Sequence, residues 1–310
     1  MKLLIVGAGA MGLYFAARLT QAGHDVTILT RPGTTPATSI RLARGEQVGT
    51  ISPIRVLDRV PDAGLAPDAV LIATKAWQVE AALGRLAGRI PRTSAIITVQ
   101  NGIEAPEIAR GLFPDNPVIA GTCVVHVLHP EPFSVELLGS DATLTLGYFD
   151  AIAADATRLA DLISEIDASP IVCTRAEDIH RALWKKLALI ASYGGIGAAA
   201  HATVGQTRDT SETRTLVRTA IREAADVARA HAVTFTDADE EEVMAIYTEH
   251  FAADATSSMQ RDLAAGAPSE LANQNGVIVA RAAKLGIPVP THSFIYRTQL
   301  PRERSARARE

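Results

Sequence analysis

The sequence predicts a parallel-sheet α/β domain followed by an all-helical domain, and three observations carry that expectation. Short apolar runs alternate with stretches of helical spacing in the first third of the chain. A glycine-rich turn joins the first run to the first helix. Beyond Asp178 the pattern is almost wholly helical.

Taken in order, residues 2–6 (KLLIV) form a compact apolar strand, residues 11–22 a helix closed by Gly23, and residues 25–29 a second strand. Strands follow at 69–73 (AVLIA), 95–99 (AIITV) and 117–121 (PVIAG), with helices at 77–89 and 104–111 between them. Continuous apolar strands alternating with helices indicate a parallel sheet covered on both faces. Residues 124–127, 134–138 and 142–146 are strand-like and close together, which suggests antiparallel pairing at one end of that sheet. A helix at 151–166 and a strand at 171–174 close the first half. Helices are expected at 180–200, 210–231, 240–250, 258–265 and 270–285, with the charged tail PRERSARARE frayed. The run 237–242 reads as a solvated helix start, and His126 and His129 as structural.

The 310 residues are 47% hydrophobic and 21% charged, the range of a globular chain, with a formal charge of −4. A weakly acidic chain without a basic block is a poor nucleic-acid binder. Cys123 and Cys173 form no CxxC, and two thiols make no disulfide framework, so a reducing cytoplasm fits best. The opening MKLLIVGAGAMGLYF mimics a signal peptide, but its glycines fall in a phosphate-binding pattern and no cleavage site follows. No segment has the roughly 18–20 uninterrupted apolar residues that span a bilayer. The eight histidines include no HxxxH spacing, and no metal site is expected.

Gly7-Ala8-Gly9-Ala10-Met11-Gly12 is G-x-G-x-x-G, placed after a strand and before a helix. The first glycine permits the turn, the second lets backbone approach a pyrophosphate, and the third lets helix and strand pack closely. At the end of the second strand, where a carboxylate would accept hydrogen bonds from the ribose hydroxyls of NAD(H), the chain has Thr30-Arg31. Arg31 supplies a cation for a 2′-phosphate, so NADPH is favoured over NADH.

Lys75 and Gln100-Asn101-Gly102 follow strands at the edge where open α/β sheets place ligands, though each is also readable as a plain surface feature. Lys185 and Lys186 open the apolar helix and point about 100° apart, so at most one faces a given cleft. A partly desolvated lysine there is a candidate general acid, against the plainer reading of two surface lysines. Ser257 or Ser258 caps the following helix, Glu270 complements a helix dipole, and Gly276 inside a helix points to a close contact.

Together with TKAWQVEAAL, QNGIEAPE, the W-x-K-L at Trp184, SSMQRDLAAGAPSEL and NGVIVARAAKLGIPVP, these residues give a chain that resembles the ketopantoate reductase (2-dehydropantoate 2-reductase) family over nearly its whole length. The resemblance implies a Rossmann domain over 1–175 and a helical substrate and dimerisation domain over 176–310, similar to the 6-phosphogluconate dehydrogenase type. It implies NADPH-dependent reduction of ketopantoate to pantoate, on the route to pantothenate and coenzyme A, by a cytoplasmic homodimer. Lys186 matches the catalytic lysine and Glu270 its partner. Asn101 and Ser258 match substrate contacts, and Lys75 and Asn101 lie by the cofactor.

The sequence departs from the family where asparagines usually follow the lysine by four and eight residues: here they are Ile190 and Gly194, and a frequent aspartate is Ala272. Ile190 makes the substrate wall more apolar and Gly194 is expected to open room, which points to a bulkier or more apolar 2-oxo acid, another carbonyl or an imine as the alternative substrate. A non-catalytic NADPH-binding regulator is the remaining alternative, disfavoured by the retention of both Lys186 and Glu270.

Overall fold

A computed structural model describes residues 1–309, and the chain divides into two compact units. The first comprises Met1–Gln100 and Glu104–Ile179, and the second Asn101–Ile103 with the residues from His180 on.

In the first unit the order is β1 (Lys2–Val6), α1 (Ala10–Gln21), β2 (Asp25–Leu29), β3 (Ile40–Arg44), β4 (Gln47–Ile51), β5 (Arg55–Leu57) and β6 (Ala69–Ile72). A 3-10 turn (Ala76–Gln78) leads into α2 (Val79–Gly84), then β7 (Ala95–Thr98), α3 (Glu104–Leu112), β8 (Val118–Val124), β9 (Val127–Leu128), β10 (Ser134–Leu137), β11 (Thr143–Tyr148), α4 (Ala156–Asp167) and β12 (Val172–Arg175). An eight-stranded sheet runs β12-β11-β8-β7-β6-β1-β2-β5. It is parallel from β8 to β5, while β11 pairs antiparallel with β8.

Successive side chains of a strand point to opposite faces, and here both faces are buried. Leu3 and Ile5 of β1, Leu71 of β6 and Ile97 of β7 join Phe15 and Leu19 of α1 in one core. Leu4, Val6, Ile72 and Ile96 join Leu83 of α2 and Ala109 of α3 in the other. Each fully buried aliphatic chain contributes about 1.5–3 kcal/mol of transfer free energy, and this double burial is why the central strands read as unbroken apolar runs.

Three expectations for this unit are corrected. The antiparallel pairing expected at one end of the sheet is present, β11 against β8 with Thr143 opposite Val124, but β10 leaves that sheet for a second one, β4-β3-β10-β9, pairing parallel with β3 and antiparallel with β9. The expected helix at 77–89 ends at Gly84 after a 3-10 start, in a stretch that also carries Gly88, and glycine is costly inside a helix. The helix expected from 151 starts at Ala156, because the Asp155 carboxylate accepts hydrogen bonds from the Thr157 and Arg158 amides and caps it there.

The second unit holds α5 (Ile179–Ala200), α6 (Val204–Asp209), α7 (Ser211–Ala230), α8 (Asp237–Ala245) with a π-helical continuation (Ile246–His250), and α9 (Ser258–Ala264). A π-helical turn (Ala272–Gly276) leads into α10 (Val277–Leu285), and α11 (Pro290–Arg307) follows. The tail expected to fray is thus helical through Arg307, with Glu303 and Ala306 buried. Its last residue, Glu310, lies outside the described residues. The run 237–242 is not simply solvated: Asp239 is 1% exposed. Burial would raise its carboxyl, but hydrogen bonds from Arg181, from the Thr236 amide and hydroxyl, and from Lys185 outweigh that and hold it well below the carboxylate range. The close contact expected at Gly276 is present, since a β-carbon there would lie 2.9 Å from the Tyr296 ring.

A buried polar chain ties four elements of this unit. His292 Nε2 donates to the Ala220 carbonyl at 2.8 Å, so Nδ1 accepts from Asn275 Nδ2 at 3.0 Å; Asn275 Nδ2 also donates to the Ala191 carbonyl of α5 at 2.9 Å. Burial is the largest influence on the ring and lowers its pKa, against the raising effects of the Ala220 bond and the Glu223 charge. The unfolded chain therefore binds the proton more readily. The His292 contribution to stability is present above the ordinary histidine pKa of about 6.5 and is lost as pH falls below it. Urea unfolding should show stability declining from pH 8 to pH 5, about these values bracketing that pKa, with a shallower decline in His292→Gln.

Candidate functional site

The residues singled out in the sequence fall on both units. In the first, β1 runs directly into the glycine turn. Gly7 has φ +111°, and its amide donates to the Leu29 carbonyl at 2.9 Å. A β-carbon on Gly12 would lie 1.9 Å from the Gly7 carbonyl oxygen, so α1 can start against the strand end only with glycine there. A β-carbon on Gly9 would meet nothing within 4 Å. Gly9 is also the N-cap of α1 and caps it with no side chain. The first-turn amides, which begin at Ala10 and Met11 beyond the half-buried Ala8, thus form an open positive end fitted to a pyrophosphate.

Arg31 is exposed two residues beyond β2, its carbonyl accepting from the Thr34 amide and hydroxyl in a tight turn. Arg85 donates to the Thr30 carbonyl at 2.7 Å and the Asp58 carbonyl at 2.8 Å, bracing the loops after β2 and β5. Beside Pro32 a surface hollow is lined by Arg59, Arg85 and Arg89. Sequence reasoning missed these three arginines, because no local spacing marks residues that converge from separate loops. Lys75, exposed after β6, has its ammonium 5.8 Å from the Trp77 ring centroid. Gln100 donates to the Ile72 and Thr74 carbonyls at 2.7 and 3.1 Å, which fixes the chain on either side of Ala73.

In the second unit the two lysines of α5 diverge. Lys185 lies 3.1 Å from Asp239 and 2.5 Å from Glu242, both on α8. Lys186, about 100° further round the helix, is half-buried, as is Ile190 one turn on. Asn101 Nδ2 donates to Glu270 Oε2 at 3.1 Å, joining residues 169 apart in sequence. Gln274 Nε2 reaches the same oxygen at 3.4 Å, and Glu270 is only 6% exposed. Gly102, with φ +103°, sits so close that a β-carbon would lie 2.7 Å from the Asn273 carbonyl. Asn101 therefore rides on the π-helical turn that follows Glu270, and such turns recur at functional sites. The role of Gln274 was not legible, because its reach to Glu270 is made inside a segment that departs from α-helical geometry.

Gly194 does not open room. It is buried, and a β-carbon there would lie 2.6 Å from Ser257 Oγ and 2.8 Å from Ser257 Cβ. Ser257, not Ser258, is the N-cap of α9, accepting from the Gln260 amide at 3.1 Å; Ser258 is the first residue of the helix. The space an asparagine would occupy is filled by this cap. Two residues before Gly194, Ser192 is fully buried, and its hydroxyl has no hydrogen-bond partner among the described residues. Tyr193 stacks on Tyr247 and packs against a tilted Phe251 ring, and burial pushes its phenol pKa up. Among the described residues no group of three or more His, Cys, Asp or Glu is placed to hold a metal ion, and no helix is long and apolar enough to cross a membrane.

An α/β unit with a glycine turn at the end of its first strand, followed by a helical unit, is an architecture found in oxidoreductases acting on keto groups. The chain belongs to the ketopantoate reductase family: the model for ketopantoate reductase PanE/ApbA matches residues 3–151 and that for its C-terminal part residues 178–300. It is 28% identical to the 2-dehydropantoate 2-reductase of Vibrio cholerae over 299 residues, covering 96% of each chain. It is 26% identical to the uncharacterized oxidoreductase YkpB of Bacillus subtilis, covering 96% of this chain and 97% of that one. A PanE/ApbA family ketopantoate reductase from Ralstonia eutropha superposes with a TM-score of 0.87 at 26% identity, covering 99% of this chain and all (100%) of that one. A D-mandelate dehydrogenase solved with NADH and anilino(oxo)acetate shares the fold, with a TM-score of 0.85 at 24% identity and the same coverage of 99% and 100%.

The packing at Gly194 has a measurable consequence. Gly194→Ala is expected to lower stability by about 1–3 kcal/mol through overpacking against Ser257. Gly111→Ala, in a helix with nothing within 4 Å of the added carbon, should stabilise by about 0.5–1 kcal/mol. Chemical denaturation of both variants checks the pair.

Proposed function

We propose that the chain reduces a small 2-oxo acid at the expense of NADPH, with ketopantoate as the first candidate substrate and pantoate as the product. The observation that carries the reading is the hydrogen bond from Asn101 to the buried Glu270, which joins the segment after β7 to the segment after α9. The family membership agrees with it.

On this reading the pyrophosphate is held by the backbone from Gly7 to Gly12, over the open approach at Gly9. Arg31 pairs with the 2′-phosphate, and the neighbouring arginine-lined hollow adds positive potential on that side. Lys75 and Asn101 serve the nicotinamide end. When bound, the reduced nicotinamide supplies the hydride for the keto carbon. Lys186 Nζ holds the proton, stabilises the charge that grows on the keto oxygen, and delivers the proton to it. Glu270 orients that ammonium group and its hydrogen bonds, and Asn101 and Gln274 orient Glu270. Ser258, at the start of α9, binds the carboxylate or hydroxyl of the substrate. A cytoplasmic homodimer is part of the same reading.

One observation favours a second substrate within the same chemistry. Ile190 presents a branched alkyl group one turn from Lys186, and the Ser257 cap occupies the space beside Gly194. The wall is thus apolar without being enlarged, which suits a 2-oxo acid with an alkyl side chain of moderate size.

Three kinetic results test the reading. Lys186→Ala should lower kcat by about a hundredfold to ten-thousandfold with little change in the KM for NADPH; an unchanged kcat would remove the lysine from the chemistry. Arg31→Ala should erode the preference for NADPH over NADH in kcat/KM, and an unchanged preference would reject its role. Across a panel of 2-oxo acids, an advantage for ketopantoate of about a thousandfold would exceed what an apolar wall supplies and would contradict the second substrate reading.

A further inference from the structure

The charged C-terminal segment grips the loop that carries Glu270. Ser269, fully buried, donates its amide to Glu303 Oε2 at 3.0 Å and Oε1 at 3.3 Å, and its hydroxyl to Oε2 at 2.5 Å. One helical turn on, Arg307 donates Nε to Glu303 Oε1 at 2.7 Å and a terminal nitrogen to the Ser269 carbonyl at 3.0 Å. Arg309 donates to the Gly266 carbonyl at 2.8 Å. The match to the family model ends at residue 300, and all three residues lie beyond it.

These bonds fix the peptide groups on both sides of Glu270. The preceding one is held by Arg307 on the Ser269 carbonyl. In the following one, the Leu271 amide donates to Ser269 Oγ at 3.2 Å and the Glu270 carbonyl accepts from the Gln274 amide at 2.9 Å. With both peptides held, by α11 through Ser269 and by the π-helical turn through Gln274, the Cα–Cβ direction of Glu270 is fixed. Glu303 is itself 4% exposed. Buried ion pairs are weak stabilisers compared with apolar packing of the same volume, so a buried carboxylate that takes both the amide and the hydroxyl of Ser269 is better explained by the placement of that loop.

We infer that Glu303 and Arg307 are positioning residues, which hold Glu270 in its working orientation through Ser269. The inference rests on the role given to Glu270 under the proposed function, and its test separates the two. Glu270→Gln, Glu303→Gln, Arg307→Ala and Arg307→Lys are compared in the full-length protein. The assay is NADPH oxidation with the 2-oxo acid of highest wild-type kcat/KM. Expected is a fall in kcat of about tenfold to a hundredfold in Glu303→Gln and Arg307→Ala, the scale of a displaced catalytic group. The KM for NADPH should be unchanged, with partial recovery in Arg307→Lys. Hydrogen exchange at the Ser269 and Leu271 amides should accelerate in the same variants.

A wild-type kcat in folded Glu303→Gln and Arg307→Ala, with Glu270→Gln impaired, overturns the positioning role alone. A wild-type kcat in Glu270→Gln overturns the proposed function and the inference with it. Should Glu303→Gln fail to fold, Arg307→Ala, which leaves the buried carboxylate in place, decides the matter.

Discussion

A carboxylate withdrawn from water must be met by donors, because an unpaired buried charge costs several kcal/mol. Glu270, 6% exposed, meets that demand with the amide groups of Asn101 and Gln274 on a single oxygen. The constraint shapes the structure around it. Asn101 and Gly102 have to lie against the π-helical turn, and that turn has to bring residue 274 round to the residue four before it. The turn is anchored in its own right, by Asn275 on the Ala191 carbonyl of α5 and by Ser269 on Glu303 of α11. The helix that carries Lys186 and the loop that carries Glu270 are therefore parts of one hydrogen-bonded frame.

The pairing also divides labour along α5. Residues 181 and 185 face α8 and are committed to Asp239 and Glu242. Ala191 and Gly195 face the π-helical turn, where Asn275 meets both. Lys186 and Ile190 fall on the stripe between, and both are half-buried. A lysine on such a stripe is partly desolvated, a setting in which one basic group can both stabilise a growing oxyanion and give up a proton.

Much of this was legible in sequence where local geometry dictates residue type. The strand β1 and the Gly7, Gly9 and Gly12 turn are set within a dozen residues, by a positive φ at one glycine and a close approach at another, so the pattern itself reports the structure. The strands β3, β4 and β5 escaped notice, because β4 is exposed at four of its five positions and carries no alternation to read. The divergence of Lys185 from Lys186 followed from helical geometry alone. Gly194 was misread as open space, because what fills a glycine's vacancy is a residue 63 positions away, and spacing along the chain holds no record of it. The same holds for the clamp of Glu303 on Ser269, which hides in a tail whose charge alone suggests solvent.

Catalysis of the proposed kind requires that the ammonium group of Lys186 meet the reacting carbonyl. A crystal structure of the full-length protein with NADPH and a non-reducible 2-oxo acid analogue measures that distance directly. The expected result is Lys186 Nζ within hydrogen-bonding reach of the carbonyl oxygen, about 2.6–3.2 Å, with Glu270 still bonded to Asn101. A complex in which that nitrogen points into bulk solvent while the analogue is bound elsewhere would contradict it.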